Sequence, residues 1–271
     1  MIEIPFIKVR NDINLYYEEI GAGDPPLVFI HGWTANSWVW EKQRDYFLDM
    51  NKVILIDLKG HGKSDKPEGN YTIPEYTEEI YEAIKKLIGD QKIVLIGHSM
   101  GGMITVYYAT HPEFSKNLKG IILMSTTSRK LTSLETLLKS IESGEIKLDD
   151  PDVIKEIAKS GFYGKFIRAN KDILIKNIEE AKKCPSEVAL KSLRYFTREF
   201  DVSNKLSNIS VPTLIMTGDK DVQIGNNESE FLLKNIKNAK LEIIGPKSGH
   251  MVQFEKPNLV NSLIETFIND L

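Results

Sequence analysis

The chain has little that would set it apart from an ordinary folded domain. Cys184 is the one cysteine among 271 residues, which excludes an internal disulfide and suits a reducing, cytoplasmic setting. Neither sign of charge dominates: 35 basic and 38 acidic residues leave a formal charge of -3. Without a basic excess or a long run of like charge, neither nucleic acid nor an anionic membrane is an expected partner. No apolar stretch is longer than about one strand, against the ~20 residues a spanning helix needs. Met1-Ile2-Glu3-Ile4-Pro5 has neither a basic segment nor a long apolar one, so no secretory signal is expected. Internal repeats and low-complexity tracts are also missing.

What is present is a rhythm of short apolar runs at Leu27–Ile30, Val53–Ile56, Ile93–Ile96, Ile121–Met124, Thr213–Met216 and Leu241–Ile244. Continuous rather than alternating hydrophobicity marks strands buried on both faces, as in a parallel sheet covered by helices. Ahead of them, Ile4, Phe6 and Val9, then Ile13, Leu15 and Tyr17, alternate with polar residues around Asn11-Asp12. This pattern predicts an antiparallel hairpin at the sheet edge and about eight strands in all. Pro257 followed by Leu259, Val260, Leu263, Ile264, Phe267 and Ile268 predicts a closing amphipathic helix.

The rhythm fails between Thr127 and Leu206. Leu131, Leu134, Leu137, Leu138 and Ile141 repeat at helical spacing, Asp150-Pro151 opens a second helix, and two more are expected near 171–182 and 186–197. A strandless stretch of this length is no simple crossover. It is expected to form a helical cap above the carboxyl ends of the strands, where open α/β sheets bind ligands. The domain expectation is therefore a core of residues 1–126 and 207–271, with a cap of residues 127–206 inserted after strand 6.

Residues 92 to 102 read Lys-Ile-Val-Leu-Ile-Gly-His-Ser-Met-Gly-Gly, a strand, a sharp turn and the start of a helix. Gly97 and Gly101 suit a turn where a Cβ would collide with neighbouring backbone, and Ser99 at its tip becomes a candidate nucleophile. Asp219 and Asp221 follow a later strand and His250 follows the last one, giving the chain order Ser, Asp, His. A serine hydroxyl is a poor nucleophile until an imidazole takes its proton, and His250 is the only histidine beyond the acidic pair. Cys184 precedes Pro185 without a glycine elbow and is read as packing rather than as a nucleophile.

Five ordered motifs carry a resemblance. They are His31-Gly32-Trp33, Asp57-Leu58-Lys59-Gly60-His61-Gly62-Lys63-Ser64-Asp65, Gly97 to Gly101, Gly218-Asp219-Lys220-Asp221, and Gly249-His250. Over nearly its whole length the chain resembles the α/β-hydrolase superfamily, in its capped esterase and haloperoxidase-like branch. The resemblance implies a mostly parallel sheet of about eight strands flanked by helices. From the family's Gly-x-x-Asp pattern it assigns Asp221 the task of orienting His250, leaving Asp219 as a turn former and Asp201 as a distant alternative. It also places the oxyanion donors on the backbone N–H groups of Met100 and Trp33. Lys59 stands where the family usually carries arginine, which affects a structural contact and leaves the chemistry alone.

The other histidines are read as supporting groups: His31 ordering the oxyanion loop, His61 in its glycine turn, His98 beside the nucleophile and His111 at a helix end. Trp38 and Trp40 are expected to pack on a helix face. The Trp33 side chain either packs or lines the acyl pocket. Phe162, Tyr163 and Phe166 either fill the cap's own core or line that pocket.

An elbow serine excludes the aspartate-dependent dehalogenases and epoxide hydrolases of the resembling group. The expected activity is hydrolysis of carboxylic esters of small substrates through an acyl-enzyme. Lactonase, carbon–carbon bond hydrolase and perhydrolase chemistry remain alternatives, the last lowered by Thr34 where perhydrolase-like relatives tend to have proline. A small-molecule receptor that keeps a slow triad is the alternative of another class. No metal and no cofactor are implied, since the histidines and acids show no ligand spacing and a hydroxyl that has a base needs neither.

Overall fold

In the computed structural model, residues 5–271 are described. Ile4, and with it the Met1–Ile4 stretch on which the leader expectation rests, lies outside them. The elements run β1 (Phe6–Lys8), β2 (Asn14–Ile20), β3 (Leu27–Ile30), α1 (Glu41–Phe47), β4 (Val53–Ile56), α2 (Ile73–Ile88), β5 (Ile93–His98), α3 (Met100–Thr110) and β6 (Leu118–Met124). Only helices follow until Thr213: α4 (Glu135–Glu142), α5 (Pro151–Ser160), α6 (Gly164–Ala169), α7 (Lys171–Ala181) and α8 (Ser186–Arg198), with short 3-10 turns at either end. The chain then closes with β7 (Thr213–Gly218), α9 (Asn226–Asn235), β8 (Ala239–Ile244), α10 (Val252–Glu255) and α11 (Pro257–Asn269).

The eight strands form one sheet in the order β1-β2-β4-β3-β5-β6-β7-β8. β1 pairs antiparallel with β2, and β2 antiparallel with β4; every later pairing is parallel. Strands β3 to β5 are buried along their whole length, as their unbroken apolar runs require. The run Leu241–Ile244 departs from this expectation. β8 is the outer strand of the sheet, Leu241 is only partly covered and Ile243 is half exposed. An apolar run by itself does not say whether a strand has a neighbour on both sides.

Local chemistry explains the helix boundaries. Thr72 caps α2 by accepting from the Glu75 N–H (3.3 Å), and Ile73, Tyr76, Ile80, Ala83 and Ile84 bury one face. Asp150 caps α5 in the same way through the Asp152 N–H (2.8 Å), with Pro151 in the first turn. Along α11, Val260, Ile264 and Phe267 are buried. The six-residue α6 is absent from the sequence reading because less than two turns carry no usable periodicity.

The two sheet faces carry two apolar layers. One holds Ile80, Ile84, Ile104 and Val106 from α2 and α3. The other holds Trp40, Phe47, Val260 and Ile264. Trp40 is fully buried against Phe29 (ring centroids 5.1 Å) and Trp38 packs on Phe254 (4.7 Å), both from a 3-10 turn over Ser37–Trp40 rather than an α-helix. Lys59 reaches Glu79 (2.7 Å) on α2, with its ammonium over the Tyr71 ring at 5.2 Å. Among the described residues no helix is long and apolar enough to cross a membrane.

Candidate active site

The loops leaving the carboxyl ends of β3, β5, β7 and β8 meet on one edge of the sheet. Ser99 separates β5 from α3 with φ 54° and ψ -119°, a left-handed conformation that a side chain rarely adopts. The surrounding backbone holds it there: a Cβ at Gly97 would run into the Gly101 carbonyl, and one at Gly101 into the carbonyls of Ile30 and His31. Glycine at both positions lets α3 start hard against β3 and β5. Met100 is the first residue of α3, and the opening N–H groups of a helix have no partner within it.

His250 Nδ1 lies 2.9 Å from Asp221 Oδ2, with both side chains withdrawn from solvent. Asp221 Oδ1 accepts from the Gln223 and Ile224 N–H groups (3.0 and 3.2 Å). Burial pushes this carboxyl up, but the His250 ring and the Ile224 N–H outweigh it and hold the group well below the usual carboxylate range. Asp219 faces elsewhere and accepts from the Ser248 N–H (2.7 Å). Asp201 follows α8 and accepts from the Ser203 N–H and hydroxyl instead. The His250 ring has no hydrogen bond to Ser99 Oγ in this resting geometry, a contact that in free enzymes often tightens only with substrate bound.

Ser99, Met100, Gly32, Trp33 and His250 line one cavity of about 810 Å³. Much of its remaining wall comes from the segment between β6 and β7, including Leu131, Leu134, Leu137, Ile154, Leu193 and Phe196, and the rest from residues such as Met103, Val222 and Ile224. Two charged side chains, Asp149 and Lys182, reach the lining from exposed positions. The Trp33 side chain does both things open to it. It lines the cavity, and it is fixed edge-on to Phe196 (6.1 Å) with its indole N–H donating to the Ala189 carbonyl on α8 (2.9 Å). Phe162, Tyr163 and Phe166 are not among the lining residues; Phe162 is buried, stacked on Phe166 (5.9 Å) and set against Phe254.

The supporting histidines have definite tasks. His31 Nε2 accepts from the Leu58 N–H (3.0 Å), which leaves its proton on Nδ1 to donate to the Gly32 carbonyl (2.8 Å). In a trans peptide the N–H points opposite to the C=O, so fixing the Gly32 oxygen fixes the direction of the Trp33 N–H. Burial lowers His31 to about 4, keeping it neutral for this arrangement. His98 donates from Nε2 to the His250 carbonyl (3.0 Å) and is lowered by burial, and then by the neighbouring His250, to about 3. His61 bonds the Lys59 carbonyl (3.0 Å) within its turn, and His111 stacks on Phe114. Cys184 is buried, with its thiol pushed up to about 12 by burial, the opposite of an activated nucleophile.

Two groups escape the sequence reading. His98 gives no sign in the sequence that it holds the backbone of a residue 152 positions away. Glu255, directly after Val252-Gln253-Phe254, is a buried carboxylate that accepts from the Ser248 hydroxyl (2.9 Å) and from the backbone N–H groups of Gly249 and Tyr163.

Comparison with known proteins agrees with this fold. A family model described as "alpha/beta hydrolase fold" matches residues 25–146. The chain is 30% identical over 284 residues to a putative non-heme chloroperoxidase of Synechocystis sp., covering 98% of this chain and 100% of that one. It is 29% identical over 298 residues to a proline iminopeptidase of Saccharolobus solfataricus, covering 96% and 90%. The solved structure of a thermophilic esterase from Thermogutta terrifontis matches with a TM-score of 0.87 at 24% identity, covering 98% of both chains. The elbow at Ser99, the strand order and the full-length similarity lead to one assignment: the chain belongs to the α/β-hydrolase fold family.

Proposed function

We propose that the protein is a serine hydrolase that cleaves carboxylic esters of small, uncharged substrates, and that the helices of residues 127–206 are a cap that selects them. The observation that carries this reading is the His250–Asp221 contact of 2.9 Å opening onto the cavity that Ser99 shares. Asp221 holds the imidazole in the tautomer with a proton on Nδ1, so Nε2 is the basic nitrogen. Ser99 Oγ attacks the ester carbonyl carbon as Nε2 takes its proton. The resulting oxyanion accepts hydrogen bonds from the N–H groups of Trp33 and Met100, with the start of α3 adding its positive dipole end. Collapse expels the alcohol, which takes the proton from His250 and leaves Ser99 acylated. Water, deprotonated by the same nitrogen, then attacks the acyl-enzyme and frees the acid.

The cavity supports an uncharged acyl group. Away from the exposed Asp149 and Lys182 its walls are mostly aliphatic. A substrate amine or carboxylate buried there would lose its hydration without a charged partner. Peptidase chemistry on a free amino terminus is disfavoured on that ground, while neutral esters and lactones fit. An apolar cavity under a cap also suits a small-molecule receptor that keeps a slow triad. A panel of p-nitrophenyl esters of increasing chain length, assayed on the wild type and on Ser99→Ala, tests the proposal. Fast turnover that the substitution abolishes supports it, and tight ligand binding with almost no turnover favours the receptor.

A further inference from the structure

The loop that carries His250 is held at several backbone atoms. The Ser248 N–H donates to Asp219, the Lys220 N–H donates to the Ser248 carbonyl (2.8 Å), and His98 donates to the His250 carbonyl. All of these ties stay within the core. Glu255 differs, because its two oxygens face opposite ways. Oε2 accepts from the Ser248 hydroxyl and the Gly249 N–H, on the His250 loop, and Oε1 accepts from the Tyr163 N–H, in the turn between α5 and α6. Next to it the Met251 N–H donates to the Gly161 carbonyl (3.0 Å). The two segments are so close that a Cβ on Gly249 would lie 2.7 Å from the Tyr163 nitrogen and 3.0 Å from the Phe162 carbonyl carbon. Every partner of Glu255 is a donor, so the site calls for an acceptor at both oxygens, and with the side chain buried those bonds replace its lost hydration.

We propose that Glu255 is a positioning residue for the reaction, joining the loop of the general base to the 161–163 turn of the cap so that His250 is correctly placed only while the cap is seated. The inference rests on the reading of His250 as the base. Substrate that draws the cap into place would, through this carboxylate, also set the imidazole against Ser99. A displacement of His250 of about 1 Å is enough to cost ~100-fold in rate.

The test uses the full chain with Glu255→Gln, Glu255→Ala and Gly249→Ala, and Ser99→Ala as control. Active sites are titrated with a fluorophosphonate, and kcat and KM are measured on p-nitrophenyl butyrate. Glutamine keeps the shape and, with its carbonyl toward Ser248 and Gly249, keeps the loop bonds while setting an –NH2 against the Tyr163 N–H. The expected result is a fall in kcat per titrated site of ~10- to 100-fold for glutamine and more for alanine, with KM little changed. If Glu255→Ala does not fold, the glutamine and Gly249→Ala variants carry the test, the latter forcing the cap turn off the loop from the other side. A glutamine variant with lower thermal stability but wild-type kcat per titrated site means that Glu255 only packs, and overturns the proposal. Retained turnover in Ser99→Ala overturns the serine mechanism itself, and this inference with it.

Discussion

Ser99 pays for its position in backbone strain: its φ of 54° and ψ of -119° are costly for any side chain, at ~1–3 kcal/mol. Glycine tolerates this region. Ser99→Gly is therefore expected to be more thermostable than Ser99→Ala by about 1 kcal/mol, although both lose activity and fluorophosphonate labelling. Equal melting temperatures for the two would contradict a strained elbow. The two aspartates separate as cleanly. Asp221→Asn puts an amide against His250 Nδ1 and favours the wrong tautomer, so kcat is expected to fall by up to ~10⁴. Asp219→Asn keeps an oxygen for the Ser248 N–H and should cost far less. Steady-state kinetics on the two purified variants decide it, and the reverse ranking would hand the orienting role to Asp219.

At the scale of elements, the helices between β6 and β7 divide into residues that face the cavity and residues that hold the segment to the core. Phe162 belongs to the second group, buried with Phe166 and Phe254 and outside the lining. Phe162→Ala should lower stability by ~3–5 kcal/mol, the usual cost of emptying a core aromatic site, and leave the order of preference among ester chain lengths unchanged. Leu137 on α4 belongs to the first group. Leu137→Ala enlarges the cavity, so the optimum of kcat/KM across an ester series should move to a longer or more branched acyl chain. If Phe162→Ala moves the optimum and Leu137→Ala does not, the division is wrong.

For the whole molecule, buried ionisable groups set how stability follows pH. His31, His61 and His98 are lowered by burial to about 4, about 3 and about 3, so between roughly pH 4 and 6.5 the unfolded chain binds protons there that the folded chain does not. These three contribute stability that is lost as pH falls. Glu79 acts in the opposite sense. Burial, only partly offset by Lys59, raises it to about 7, so the folded chain holds its proton above the ordinary glutamate range and the stability it contributes is lost as pH rises through 7. Asp57 and Glu255 are raised by burial as well and act in the same sense as Glu79, offsetting the three histidines only in part, so net protons are taken up on unfolding near pH 5.5. The urea midpoint should therefore drop between pH 7 and pH 5; a flat or rising midpoint would contradict it.

Sequence by itself determined the layered α/β architecture, because an apolar run four residues long flanked by helical periodicity has few other ways to be buried. It determined the elbow at Ser99 as well, since Gly97 and Gly101 are required by approach distances that follow from a strand turning straight into a helix. Chemistry confined to one short motif was legible in this way. What spans the chain was not. That Trp33 both lines the cavity and bonds α8, and that β8 lies at an edge, depend on where segments far apart in sequence come to rest, and the contact of Asp221 with His250 was assigned beforehand only through the family's Gly-x-x-Asp pattern. The role of Glu255 was hidden for the same reason. A glutamate in an amphipathic stretch reads as a solvated side chain, and only tertiary packing brings the Tyr163 N–H, 92 residues away, to its oxygen and buries the carboxylate. Hydrogen bonds of this kind carry no local pattern, so they arise from folding and are visible only in the folded chain.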